Sequence, residues 1–315
     1  MKNRQAVFRR QKRDVMTQSK KSNTQSNAKL QADGMQIRKM PFEFPSDIGP
    51  HWNKENPEWS HMVNGASLAM PYLEPYLIRT MRKALDLIDS GQLKKEVKLY
   101  IGQEGQHFQQ HRRFNDILIE NGYSELVDLE KRLADDYKRY ETTKSHRFNL
   151  SYAAGFESMA LGIGHWLIME REELFGGSDS RVASLILWHF VEEIEHKNVA
   201  IDAYNAVYGD YWYRIYGMIF ATIHIVAYTQ RAYKSMLKRD GLWSNLKSRW
   251  RLLKMIGKFY KNMIPPFLDA CRPNHHPSEV KDPKWSDDWI KTYQKDNQQL
   301  AMLDTDNLHK SFGAI

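Results

Sequence analysis

The chain has 315 residues with 42% hydrophobic and 12% aromatic content, enough for a sizeable core in one large helical body. Its single cysteine, Cys271, excludes an intramolecular disulfide framework and suggests a reducing, cytoplasmic setting; the N-terminus lacks the apolar run of a secretory signal. The net charge of +8 is uneven: the first 39 residues hold 11 Lys/Arg against 2 Asp/Glu and the rest 35 against 36, so the basicity belongs to a tail.

Residues 1–40 are polar, rich in Gln, Ser, Asn and Lys, and read as a disordered basic tail. Its cluster Arg9-Arg10-Gln11-Lys12-Arg13 is a solvated tail on base rates, with an anionic membrane or nucleic acid as the contact it could make. Residues 41–270 read as the helical domain and 271–315 as a partly helical extension. Asn56-Pro57 has the pattern of a helix N-cap and first turn. Pro71 and Pro75 interrupt the next segment, and four core helices are expected over 72–89, 92–121, 147–175 and 179–208, with stops at Gly91, Gly122 and Gly176-Gly177. A charged amphipathic helix is expected at 125–140. The apolar run from Tyr211 to Gln230 contains Arg214, which counts against a transmembrane span, so it reads as a buried fifth helix with membrane-surface contact as the minority reading. A further helix from Leu242 to Asn262 is expected to break at Pro265-Pro266. Trp285 and Trp289 mark a short docking helix. No strand alternation or phosphate-binding glycine motif occurs, so the fold class is all-α.

The stretch Trp188-His189-Phe190-Val191-Glu192-Glu193-Ile194-Glu195-His196-Lys197 is the most informative in the chain. On a helix His189, Glu193 and His196 share one face. Gln103-Glu104-Gly105-Gln106-His107 repeats the Glu-x-x-His spacing, with His111 one turn further on. Two such helices, joined by a glutamate from each of two others, are the core of di-iron and di-manganese carboxylate bundles. Glu157, in an otherwise apolar helix, and Glu74, between two prolines, are the candidates for those two glutamates, since a buried carboxylate needs a partner. His189 is one imidazole beyond the minimal set and is either a ligand or a supporting histidine. Glu192 is placed to accept the ring N–H of a ligand histidine on the facing helix, and His111 reads as a support of the same kind. Gly155, Gly162 and Gly164 either leave room for a substrate channel or permit close helix packing.

Over residues 42–260 these segments resemble the family of predicted metal-dependent hydrolases of ferritin-like type. That family's Pro-x-Gly-Glu, Gln-Glu-x-x-His-x-x-x-His, Glu-His and Trp-His-x-x-Glu-Glu-x-Glu-His-Lys stand here as Pro71 to Glu74, Gln103 to His111, Glu157-Ser158 and Trp188 to Lys197. Leu73 replaces the glycine of the first motif and Ser158 the histidine of the third. The His-x-x-x-Glu-x-x-His spacing is also similar to that of p-aminobenzoate N-oxygenase, a di-iron enzyme. The resemblance implies a ferritin-like four-helix bundle core with additional C-terminal helices and seven ligands: Glu74, Glu104, His107, Glu157, His189, Glu193 and His196.

The function expected from this pattern is a non-haem di-iron oxidase or oxygenase acting on a small apolar or aromatic substrate. A metal-dependent hydrolase at the same dinuclear site, or a non-catalytic ferritin-like protein, are the alternatives. The cofactors would be two iron ions, with manganese or a mixed Fe/Mn pair as variants. The expected partners are the substrate and an electron donor such as a ferredoxin or its reductase, with a homodimer left open. The expected location is cytoplasmic, with peripheral membrane association left open.

Overall fold

In a computed structural model the described residues are 35–294 and 297–310, and among them every regular element is helical. In chain order these are α1 Pro57–Ser67, α2 Met70–Leu85, α3 Gly91–Glu120, α4 Leu126–Thr143, α5 His146–Met169 and α6 Arg171–Phe175. They continue with α7 Ser180–Glu195, α8 Val199–Val207, α9 Tyr211–Arg239, α10 Leu246–Ala270, α11 Lys284–Tyr293 and α12 Asn297–Ala301. The fold is all-α.

Local chemistry sets most of the boundaries. Asn56 caps α1 by accepting from the Trp59 N–H, with Pro57 in the first turn. Ser90, Ser145, Asp179 and Asp210 cap α3, α5, α7 and α9 in the same way. Gly122 has φ 101° just beyond α3, a conformation that side chains with a Cβ disfavour.

Four expectations need correcting. The helix expected over 147–175 stops at Met169 and restarts as α6, and the one over 179–208 divides at His196, which leaves helical geometry with φ −100° and ψ 13°. The turn there carries Lys197 into the body, where its ammonium donates to the Val280 carbonyl and Asp282. Pro265-Pro266 does not end its helix: α10 runs on to Ala270. The carbonyls left without donors belong to Lys261 and Asn262, at exposed and half-buried positions where water can satisfy them. The fifth helix is longer than expected and only one face of it is buried; Trp212, Tyr216, Ile219 and Ile223 are exposed.

The tail's first 34 residues lie outside the described residues, but its expected boundary at residue 40 moves. Met35, Arg38 and Met40 are all buried, and the extended segment they belong to straps the body. Arg38 is fully enclosed between the end of α7 and the rings of Trp289 and Tyr293 on α11. Burying Trp289 completely, as here, is worth about 1.5–3 kcal/mol or more, so α11 is a docked part of the body.

The three glycines of α5 serve packing. A Cβ at Gly155 would collide with the Met218 backbone of α9, and one at Gly217 with the Ser151 backbone of α5, so the two helices cross at backbone contact. Gly162 abuts Met263 and Pro266 of α10, and Gly164 abuts Phe190 of α7. The crossing presses α5 against α2, α7 and α9, which fixes the height at which Glu157 enters the core.

Candidate metal centre

Four helices converge on one cluster. α2 contributes Glu74, α3 Glu104 and His107, α5 Glu157, and α7 His189 and Glu193, while His196 caps the end of α7. All seven residues are at most 3% exposed. Glu104, Glu157, Glu193 and His196 bring one ligand atom each within 4.8 Å of one another, and so do His107, His189 and Glu193, and Glu74, Glu104 and His107. Glu104 and Glu193 each belong to two of these groups and so link them.

His196 Nε2 lies 3.2 Å from Glu193, 3.3 Å from Glu104 and 3.5 Å from Glu157. The His189 ring stacks on His107, with centroids 4.4 Å apart, and its Nε2 is 3.1 Å from Glu193 Oε1. Helical spacing alone put His189, Glu193 and His196 on one face, but His189 and His196 do not gather at the same end. The helix break at His196 swings that ring towards Glu157, and His189 pairs with His107 instead.

The outward-facing nitrogens follow one rule. His107 Nε2 donates to Glu192 Oε2 (2.9 Å), whose other oxygen accepts from Arg38 Nη1 (2.9 Å). His196 Nδ1 donates to Gln103 Oε1 (3.1 Å); the amide is fixed in that sense because its Nε2 donates to Glu195 (2.6 Å) and the Gln36 carbonyl (3.1 Å). For His189 the chain is longer. Asn115 Nδ2 donates to the Ser67 carbonyl, so its Oδ1 accepts from the Ser67 hydroxyl (2.7 Å). Ser67 Oγ then accepts from His111 Nδ1 (2.8 Å), and His111 Nε2 accepts from His189 Nδ1 (2.9 Å). The network thereby assigns the tautomer of each ring and turns the other nitrogen of each inward.

Inward, the polar groups lack partners. Glu74 Oε1 and Oε2, Glu104 Oε1 and Oε2, Glu157 Oε2, Glu193 Oε1 and His107 Nδ1 are buried with no hydrogen-bond partner among the described residues. Leaving one such atom unsatisfied costs about 1–3 kcal/mol, so this many in one place marks a site that takes cations. Burial, with Glu104, Glu193 and Glu157 nearby, holds the Glu74 carboxyl well above its ordinary range. Burial and Glu193 raise Glu157 in the same way. Burial opposes it, but His107 is pushed up to about 9 by the nearby charge of Glu104 and its hydrogen bond to Glu192, and His196 rises well above its usual value through Glu193 and Glu157 against the same opposition. Protons collect where positive charge is wanted; a metal taking those positions would release them.

Sequence reasoning missed several supporting residues. The Tyr100 hydroxyl donates to Glu157 Oε1 (2.6 Å), and Tyr100 lies one turn before Glu104, a spacing that could have flagged it. Gln103 heads the Gln-Glu-x-x-His motif, yet the motif assigns it no role. Ser67, Asn115 and Arg38 carry no sequence signal that ties them to the cluster. A cavity of about 150 Å³, similar to one that holds benzene, reaches the cluster at His189, His111 and Ser67. Phe156, Met159, Ile163 and Phe190 line it; Trp188 does not, because it is buried behind His107.

Fold and site together define an all-α protein with a buried carboxylate–histidine cluster built for cations. Residues 36–281 match the family described as predicted metal-dependent hydrolase, and the chain belongs to that family. The matched span includes the Arg38 strap and all seven cluster residues. No curated protein and no solved structure matches the chain. The family description names hydrolysis, which was the alternative in the sequence reading, and gives no support to oxidation.

Proposed function

We propose that the chain is an enzyme that holds two divalent cations among Glu74, Glu104, His107, Glu157, His189, Glu193 and His196 and acts on a small apolar substrate in the adjoining cavity. The observation that carries this is the division of the site into satisfied outer and unsatisfied inner faces. Four carboxylates match the charge of two divalent ions, and an oxygen-rich donor set with imidazoles suits iron or manganese. Such ions, when bound, polarise a substrate oxygen and acidify bound water.

Hydrolysis is the chemistry that the family description supports, and we place it first. In this reading Glu192, Gln103 and His111 hold the ligand rings in register, Tyr100 fixes Glu157, and the apolar cavity wall excludes bulk water. A second reading, oxidation by O₂ at a di-iron centre of ferritin-like type supplied by an electron donor, is favoured by a different observation. The wall near the cluster is mainly aromatic and aliphatic and offers little to bind a polar leaving group. The likeness to p-aminobenzoate N-oxygenase rests on the His-x-x-x-Glu-x-x-His spacing alone.

Metal-free protein reloaded anaerobically with Fe²⁺, Mn²⁺ or Zn²⁺ and offered aryl and alkyl esters and amides tests both readings. Metal-dependent turnover without O₂ supports hydrolysis. O₂ uptake by the ferrous form alone, with an oxidised product, moves the second reading to first. Failure to bind any of these metals would remove both.

A further inference from the structure

We infer that the exposed faces of α9 and α10 form a docking surface for an anionic lipid bilayer, and that the substrate reaches the centre from that surface. On α10, Leu246, Trp250, Leu253, Tyr260, Ile264 and Leu268 are 42–86% exposed. They recur at three-, four- and seven-residue intervals, so they form one stripe along about 33 Å of helix. Lys247, Lys254 and Lys261, all exposed, border that stripe at every seventh position. α9 adds Trp212, Tyr216, Ile219 and Ile223, again on one face and 42–76% exposed.

Charge identifies the occupant. α9 contains no Asp or Glu, and α10 has only Asp269, while the two helices carry 11 Lys/Arg. Lys234, Lys238, Lys247, Lys254 and Lys261 make no salt bridge among the described residues. A second copy packed on this face would set lysine rows against lysine rows with no acid between them. A nucleic acid would use the lysines and leave the apolar stripe in water. A bilayer with anionic headgroups satisfies both, with apolar side chains below the headgroups, Trp and Tyr at their level and lysines against the phosphates. Among the described residues no helix is long and apolar enough to cross a membrane, so the contact lies in the plane of the interface.

The cavity beside His189 joins this surface. Its wall includes Ile225, Val226 and exposed Gln230 from α9 and Ile256, Phe259 and Tyr260 from α10, and Tyr260 is 42% exposed. A molecule dissolved in the bilayer would thus have an apolar path to the cluster. The substrate class, a lipid-dissolved apolar compound, rests on the function proposed above; the docking surface does not.

The test is co-sedimentation of the full chain with phosphatidylcholine vesicles, with or without about a third phosphatidylglycerol. The chain should bind the anionic vesicles with or without metal. W250E/L253E and, separately, K247E/K254E/K261E should weaken binding at least about tenfold while metal content stays unchanged. Removal of residues 1–33 should leave most of the binding in place. Binding that survives both sets of substitutions, or that vanishes only when residues 1–33 are removed, overturns the inference. So does a homodimer, seen by sedimentation velocity, that the same substitutions dissolve. No binding of the unsubstituted chain to anionic vesicles, with metal uptake intact, would sink this inference alone; failure of that chain to take up metal with vesicle binding retained would sink the proposed chemistry alone.

Discussion

Two clusters in this molecule are built from the same residue types, and they behave oppositely. One is the buried centre. The other joins His51, His61 and Asp240, whose ligand atoms also lie close enough together to hold a cation. At Asp240 the hydrogens are all assigned to acceptors. His61 Nε2 donates to Asp240 Oδ2 (2.6 Å), His51 Nε2 to the same oxygen (2.7 Å), and the Tyr123 hydroxyl to the carboxylate (2.9 Å). Asn64 fixes the His61 tautomer, since Trp52 Nε1 donates to its Oδ1 and its Nδ2 faces His61 Nδ1. No atom of the trio is both buried and unpaired, whereas seven atoms of the centre are. Residue identity and proximity do not separate a metal site from a clasp; the direction of each hydrogen bond does.

The sharpest way to break the comparison is metal titration. Metal-free wild-type protein should take up two equivalents of Mn²⁺ or Fe²⁺ by calorimetry and elemental analysis. Glu193→Gln, which removes a carboxylate shared by both ends of the cluster, should lose nearly all of that uptake. The double change His51→Ala with His61→Ala should keep both equivalents. If the trio's double variant lost an equivalent and Glu193→Gln did not, the hydrogen-bond reading of both clusters would be wrong.

Next in size is Arg38. It bonds Glu192 (2.9 Å) and Glu195 (2.7 and 2.8 Å), and the guanidinium is wholly buried. Removing one partner of a buried ion pair costs about 3–5 kcal/mol, because the other charge is left without compensation. Arg38→Met should lower the free energy of unfolding by that order and weaken metal uptake through Glu192 and His107. A truncation beginning at Met40 should do the same, while one beginning at Gly34 should not. Equal metal content and equal stability in both truncations would refute the role given to the strap.

The contrast between these residues shows what the sequence could reveal. The all-α class, most helix positions and the candidates for the cluster were legible, because helical spacing and a carboxylate within an apolar helix are local signals, while the full set of seven came from the family resemblance. Arg38 was not legible: its partners are more than 150 positions away and its neighbours in sequence are those of a polar tail. Ser67 and Asn115 are ordinary polar residues until the fold aligns them behind His111. The stacking of His189 on His107 was not legible, because spacing assumes an unbroken helix and α7 ends one residue before His196. Pro265-Pro266 misled in the opposite direction, since a proline pair ends a helix only where the lost bonds cannot be replaced by water.

Ser67 gives a finer test of the outer face. Its hydroxyl joins Asn115 to His111 and so keeps the His111 lone pair facing His189 Nδ1. Ser67→Ala should leave the fold and both equivalents in place but weaken the more weakly held ion about tenfold, as loss of a ligand's hydrogen-bond partner generally does. His189→Ala should weaken it more. A Ser67→Ala protein whose two affinities match those of the wild type would mean that the chain behind His189 does not orient it.

The smallest effect belongs to Asp240, and it tests the clasp directly. The carboxylate ties the end of α9 to the loop at His51, to α1 and to Tyr123, so Asp240→Asn should cost about 1 kcal/mol near neutral pH. We take the lower range for a charged hydrogen-bond acceptor because the His51 side chain is 39% exposed. Burial alone would raise the Asp240 pKa, but hydrogen bonds from His61, His51 and Tyr123 outweigh it and bring it down to about 2. A carboxylate depressed in the folded state stabilises at pH values above its ordinary pKa of about 3.9, and that contribution is lost as the pH falls through the depressed value. The stability gap between wild type and Asp240→Asn should therefore be full at about pH 6 and narrow steadily below about pH 4. Urea midpoints of the two proteins across that range measure it. A gap that stays constant down to the acid limit would mean that the carboxylate's charge contributes nothing, and that the trio is held by packing alone.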